Sequence, residues 1–312
     1  MFKKISILAA LFIAIFAFNA CDPTVTPTAE TPDAIVLLQA TSIDATTVGL
    51  RITGSPSETN ALFDGYYLKI TPGTFPEEKI PVTSKNLYQV QGLTEGTIYT
   101  FAVYAKYTNG EVSPDVTVKW SPATRYTADI RVYETASSRG SGITLQGEGG
   151  VPQTLTIGSG EKWDLCLDTK NDKFLIGSPR QSSYTDNDGK FLTNGKIARY
   201  MYIYKSYGDV NNLDDLFDTK AISEYANDEQ MLDFTTLTTG FIFSLKTTTP
   251  GVPGYFAKIL VKAENGKILQ GTAPDRYVQL AISYQKVADV PYAIFGRSNS
   301  SSSVKSNNHS NK

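Results

Sequence analysis

The stretch Leu93-Thr94-Glu95-Gly96-Thr97-Ile98-Tyr99-Thr100-Phe101-Ala102-Val103-Tyr104-Ala105 constrains the fold more than any other part of the chain. After a turn at Glu95-Gly96, the alternation from Tyr99 onward puts Tyr99, Phe101, Val103 and Ala105 on one face of an extended strand. A helix would scatter those side chains around its axis. The same period of two recurs along the chain, where Thr, Val, Ile and Tyr runs lie between clusters of Gly, Pro, Asn and Asp, and long amphipathic helical patterns are nearly absent. The sequence therefore predicts an all-β chain.

In the N-proximal half, Ile35 and Leu37, then Ala45 to Ile52, then Gly65 to Ile70 read as strands, Asn109-Gly110 as a turn, and Val116-Thr117-Val118 as the last strand. Leu93 and Tyr99, with the turn between them, match the spacing of a fibronectin type III domain, and residues 34–122 resemble one. That resemblance implies a Greek-key β-sandwich in which Tyr99 is structural: its ring is buried at the corner and its hydroxyl bonds back to the chain just before it. The Trp common in the second strand of these domains is missing, so Leu50 or Ile52 is expected to fill its place. An Arg-Gly-Asp loop is also absent. Such domains act mostly as spacers or binding modules, and the fold alone does not set a function.

Ser121-Pro122-Ala123 closes this half, and residues 124–295 read as a second β-rich domain. Its expected strands are Thr127 to Tyr133, Lys162 to Leu167, Ala198 to Tyr204, Phe241 to Thr247, Tyr255 to Val261 and Tyr277 to Tyr284. Only Leu213 to Phe217 has a helical look, with Asn212 placed to cap it. Trp163, Leu165 and Leu167 are expected on one face of a strand, with Trp163 structural, and the unpaired Cys166 on the other as a small buried hydrophobe. Residues 296–312 are a Ser/Asn/Lys tail too polar to pack.

The N-terminus sets where the chain works. Lys3 and Lys4 precede an apolar run, Ile5 to Phe18, that ends at Phe18-Asn19-Ala20-Cys21. Residues 1–20 read as a lipoprotein signal peptide, with Cys21 carrying the lipid after cleavage, and the Thr/Pro-rich residues 21–33 as an extended tether. Phe18 and Asn19 depart from the usual lipoprotein box and resemble the looser boxes of Bacteroidetes. The implied location is the cell envelope, at the outer membrane, with the membrane itself as a partner. Losing Lys3 and Lys4 takes the formal charge from −2 to about −4, which implies no basic surface for nucleic acid.

Trp163-Asp164-Leu165, Phe241 to Thr247, Gly254 to Ile259 and Ile282-Ser283-Tyr284-Gln285 follow one another in an order similar to that of the HmuY-like haem-binding lipoproteins. The resemblance implies haem held between two axial side chains in an all-β fold. The one histidine, His309, lies in the tail, so Met201 and Met231 are the residues of the second domain that could ligate iron. Against that stands the ordinary role of methionine as a core gap-filler. Tyr200, Tyr202 and Tyr204 alternate on one strand and could form an aromatic surface for a glycan or porphyrin, or simply a cross-strand cluster. Asp186 and Asp188, around Asn187 and before Gly189, could donate oxygens to calcium, although the same residues are what a turn requires.

Nothing assembles into a catalytic motif: no Gly-x-Ser-x-Gly elbow, no phosphate-binding loop and no histidine base in the folded region. The sequence favours a non-catalytic, lipid-anchored envelope protein with a spacer domain and a ligand-binding β-domain, without a resident cofactor. Haem capture through the methionine pair and a structural or adhesive scaffold that meets another envelope protein remain as alternatives.

Overall fold

In this computed structural model the period-two runs extend into strands, and the residues that alternate inward build the cores. The structure describes residues 30–147, 150–156, 163–183, 200–213, 216–226, 230–248 and 253–293. From Pro32 onward the chain forms one compact unit. Among the described residues the regular elements are strands and short 3-10 turns, and no helix is long and apolar enough to cross a membrane.

The first sandwich comprises β1 (Leu37–Asp44), β2 (Thr47–Thr53), β3 (Phe63–Thr71), β4 (Glu78–Ile80), β5 (Tyr88–Val90), β6 (Tyr99–Tyr107) and β7 (Val116–Trp120). One sheet has the order β1-β2-β5 and the other β4-β3-β6-β7, with every pairing antiparallel. Leu38, Ala40, Val48, Leu50 and Ile52 of the first sheet meet Tyr66, Leu68, Ile70, Phe101, Val103 and Val118 of the second. Leu50 and Ile52 are fully buried, as expected of residues filling the missing Trp position. Tyr99 is buried against Phe75 and Phe101, and its hydroxyl accepts the Thr94 N–H at 3.1 Å, so the corner bond returns to the chain just upstream. Between β6 and β7, the Gly110 N–H donates to the Tyr107 carbonyl at 2.9 Å with φ at +93°, a conformation that favours glycine.

The second sandwich comprises β8 (Thr124–Tyr133), β9 (Gly142–Thr144), β10 (Gln153–Leu155), β11 (Leu165–Asp168), β12 (Leu175–Gly177), β13 (Tyr200–Tyr207), β14 (Met231–Asp233), β15 (Phe241–Thr248), β16 (Tyr255–Val261) and β17 (Tyr277–Tyr284). Two five-stranded sheets, β10-β9-β11-β12-β14 and β13-β15-β16-β17-β8, pack face to face. Ile143, Leu165, Leu167, Ile176 and Leu232 from one sheet fill the core with Phe243, Leu245, Ile259, Leu280 and Ile282 from the other.

Two expectations are corrected here. β11 starts at Leu165, and Trp163 lies before it, packed with Cys166 and Leu155 on the face opposite Leu165 and Leu167. The cause is Asp164, which leaves the alternation: its N–H donates to the Ile143 carbonyl at 2.7 Å while its carboxylate accepts the Leu145 N–H at 2.8 Å. Trp163 is nonetheless a packing residue, buried over Gly142. Of the helix expected over Leu213 to Phe217, the described residues keep only Leu213, which lies in a 3-10 turn. Residues 214–215 lie outside the described residues, Leu216 and Phe217 are not helical, and their side chains are buried.

Candidate functional site

The joint between the two sandwiches is the most elaborated part of the molecule. Ser121, Pro122 and Ala123, which link β7 to β8, are all buried. Glu95, in the turn ahead of Tyr99, clamps the adjoining ends of β8 and β17 in the second sandwich. One oxygen accepts the Thr124 N–H at 2.9 Å and the Lys286 N–H at 3.1 Å, while the other accepts the Thr124 hydroxyl at 2.8 Å. Because Thr124 pairs with Tyr284, β8 begins where β17 ends, and a single carboxylate reaches both. The Gln285 amide then donates to the Ser121 hydroxyl at 3.3 Å and to the Pro122 carbonyl at 3.0 Å.

Apolar packing crosses the same joint. Ala221, Ile222, Phe256, Tyr292 and Ala293 belong to the hydrophobic cluster of the first sandwich, although they come from the second half of the chain. Trp120, fully buried at the end of β7, meets the Tyr292 ring edge-on at 5.4 Å, and its indole N–H donates to the Ser42 hydroxyl at 3.0 Å. Asp218 adds to the first sandwich by a backbone bridge: the Ala40 N–H donates to its carbonyl at 2.8 Å, and its own N–H donates to the Ala40 carbonyl at 3.0 Å. β1 is an edge strand, so this bridge covers part of an otherwise open row of backbone groups. Beside it, the Arg51 guanidinium sits 4.0 Å over the Phe217 ring.

The residues singled out from the sequence fall elsewhere. Met201 is fully buried between the two sheets of the second sandwich. Met231 pairs with Gly177, which pairs with Cys166, and this row faces away from Ile176, Leu167 and Leu232 in that core. The sheet itself therefore separates the two thioethers. The Met201–Met231 pair expected to grip haem is not assembled, because residues of opposite parity on facing strands leave a backbone layer between them. Tyr200, Tyr202 and Tyr204 all lie on β13, but the register shifts between Ile203 and Lys205. Tyr204 is thus the extra residue of a bulge in the β13 backbone, and the side chains of Tyr200, Tyr202 and Tyr204 lie outside those described. Burial pushes the Cys166 thiol up, with the Asp168 charge adding to the shift, which suits an inert packing residue. Cys21, Asp186, Asp188 and His309 lie outside the described residues. Among the described residues, no group of three or more His, Cys, Asp and Glu is placed to hold a metal ion.

Two concavities open on the second sandwich. One, of about 270 Å³, is walled by Phe174, Phe234, Ile268 and Leu269 beside Arg276. The other, of about 410 Å³, is polar and is lined by Arg131, Lys262, Gln270 and Gln279. Behind the first lies the strongest ion pair among the described residues. Glu134, 3% exposed, takes the Arg276 Nη2 at 2.7 Å, its Nε at 2.9 Å and its backbone N–H at 3.0 Å. The Arg276 guanidinium holds the Glu134 carboxyl below the usual range. Neither this pair nor the Glu95 clamp is visible in the sequence, since Arg276 lies 142 positions from Glu134 and Lys286 lies 191 positions from Glu95.

Residues 33–119 match the family model of the fibronectin type III domain. No curated protein matches the chain. Among solved structures, the central fibronectin-III array of RIM-binding protein aligns at 10% identity over 85% of this chain and 98% of that one, with a TM-score of 0.25. The chicken CNTN1 FN1-FN3 domains align at 10% identity over 84% and 87%, with a TM-score of 0.22. Residues 33–119 of this chain, with the three-plus-four strand sandwich and the Tyr99 corner, form a fibronectin type III domain.

Proposed function

We propose that the chain is a non-catalytic scaffold of the cell envelope, anchored by lipid on Cys21, in which the fibronectin type III domain and the second sandwich work as a single stiff body that presents the second sandwich to a ligand or partner. The observation that carries the scaffold part is the joint. A carboxylate with three donors, a glutamine with two acceptors and an apolar cluster drawn from both halves resist hinge motion where a bare Ser-Pro linker would permit it. The anchoring part rests on Lys3-Lys4, the apolar run and Cys21, and on residues 21–33 as the spacer between membrane and body. The resemblance of the second sandwich to HmuY-like lipoproteins belongs to this proposal as a likeness of chain layout, without the haem ligands.

Expression of the full chain in a bacterial host, with labelled fatty acid and fractionation, tests the anchor. The wild type is expected to take up label and pellet with membranes, and Cys21→Ala is expected to do neither. Label retained in Cys21→Ala would overturn the assignment of Cys21.

A further inference from the structure

We propose that the mouth of the second sandwich, walled by Phe174, Phe234, Ile268 and Leu269 and edged by Arg276 and Lys267, binds a small monocarboxylate with an aromatic or branched apolar body. The cavity is an extension of the core: Phe234 and Ile268 are core residues, and Phe174, Leu237 and Leu269 pack against that core while keeping part of their surface at the opening. Apolar walls that reach from the inter-sheet space to solvent are where sandwiches and barrels accept ligands. Its volume of about 270 Å³ falls just under the range of about 300–1,000 Å³ that suits drug-sized ligands, which points to a smaller body.

Charge selects the head group. Glu134 fixes the Arg276 guanidinium through Nε and Nη2, and the guanidinium carbon stands 5.5 Å from the Phe174 centroid. Among the described residues, Arg276 Nη1 keeps no hydrogen-bond partner, and Lys267 enters no ion pair. Glu134 and Asp172 are the acids that act on the Arg276 charge, so that charge is largely balanced. The exposed Lys267 on the same edge adds an ammonium outside that balance. A carboxylate is the complement of this arrangement: it accepts charge-assisted bonds from Nη1 and from the Lys267 ammonium while its apolar body displaces water from the phenylalanine walls.

Isothermal titration of the full chain with 3-phenylpropionate, and with its amide as the uncharged control, tests the assignment. The acid is expected to bind with Kd below about 1 mM and the amide about tenfold more weakly. Lys267→Glu, at an exposed position, is expected to weaken the acid about tenfold and leave the amide unchanged. Leu269→Glu is expected to abolish both, with the melting curve of each variant checking that it folds. The proposal is overturned by the absence of saturable binding to the wild type, by equal affinity for acid and amide, or by undiminished acid binding in both variants.

Discussion

At the scale of single residues, two polar groups are buried for identifiable reasons. The Tyr99 hydroxyl satisfies the Thr94 N–H, so Tyr99→Phe is expected to cost about 1 kcal/mol in urea unfolding of the full chain, without loss of the fold. Glu134 carries more. Removing it leaves Arg276 beside an apolar wall with Asp172 as its remaining counter-charge, and Glu134→Ala is expected to cost about 3 kcal/mol, moderated by the partial exposure of the arginine. Its pH dependence has a definite sign. Arg276 lowers the folded-state pKa of Glu134 below the ordinary 4.5, so the pair's stabilisation is complete above that value and is lost as pH falls through the lower folded value. Unfolding midpoints of Glu134→Gln are therefore expected to fall less steeply than those of the wild type below about pH 4.5; parallel acid limbs would contradict this role. The corner tyrosine was legible in the sequence because Leu93 and Tyr99 are local neighbours. Glu134 was not, because its partner lies 142 positions away and nothing near either residue marks the pairing.

At the scale of elements, the legible part was again the local part. β16 and β17 run over the ranges that their alternation predicts, and in β17 the buried Val278, Leu280 and Ile282 on one parity leave no competing register. β11 and β13 were misread where one residue breaks the period: Asp164 by turning its carboxylate to the Leu145 amide, Tyr204 by entering as a bulge. A period count assigns faces only as far as the first such residue. The row Gly142, Cys166, Gly177 and Met231 shows what pattern reading leaves out. Its two glycines are small because a covering side chain or a neighbouring backbone lies directly above them. A Cβ on Gly142 would stand 2.2 Å from the Trp163 ring, and one on Gly177 would stand 2.2 Å from the Gln230 carbonyl oxygen. Gly142→Ala is expected to cost about 1–3 kcal/mol, and Gly177→Ala more, because a backbone group yields less readily than a ring. Equal stability of either variant and the wild type in chemical unfolding would remove this account of the outer face.

At the scale of the whole molecule, the account turns on the joint. A sandwich followed by a second β-rich domain was expected, and the second domain is a sandwich too, but the sequence showed only Ser121-Pro122 between them. Its contacts bring residue 40 to 218, 95 to 286 and 120 to 292, separations that no local pattern reports. The same contacts account for the end of this segment: Leu216 and Phe217 lie outside any helix and are buried by tertiary packing, and Asp218 pairs with β1. A half-buried carboxylate clamp and a shared apolar cluster couple the unfolding of the halves. Glu95→Ala, which leaves the Thr124 and Lys286 N–H groups unpaired, is expected to lower stability by about 2 kcal/mol and to loosen that coupling. Scanning calorimetry of the full chain tests the central claim most directly. A stiff two-sandwich body predicts one transition with calorimetric and van't Hoff enthalpies in agreement for the wild type, and two resolved transitions for Glu95→Ala. Two independent transitions in the wild type itself would contradict it.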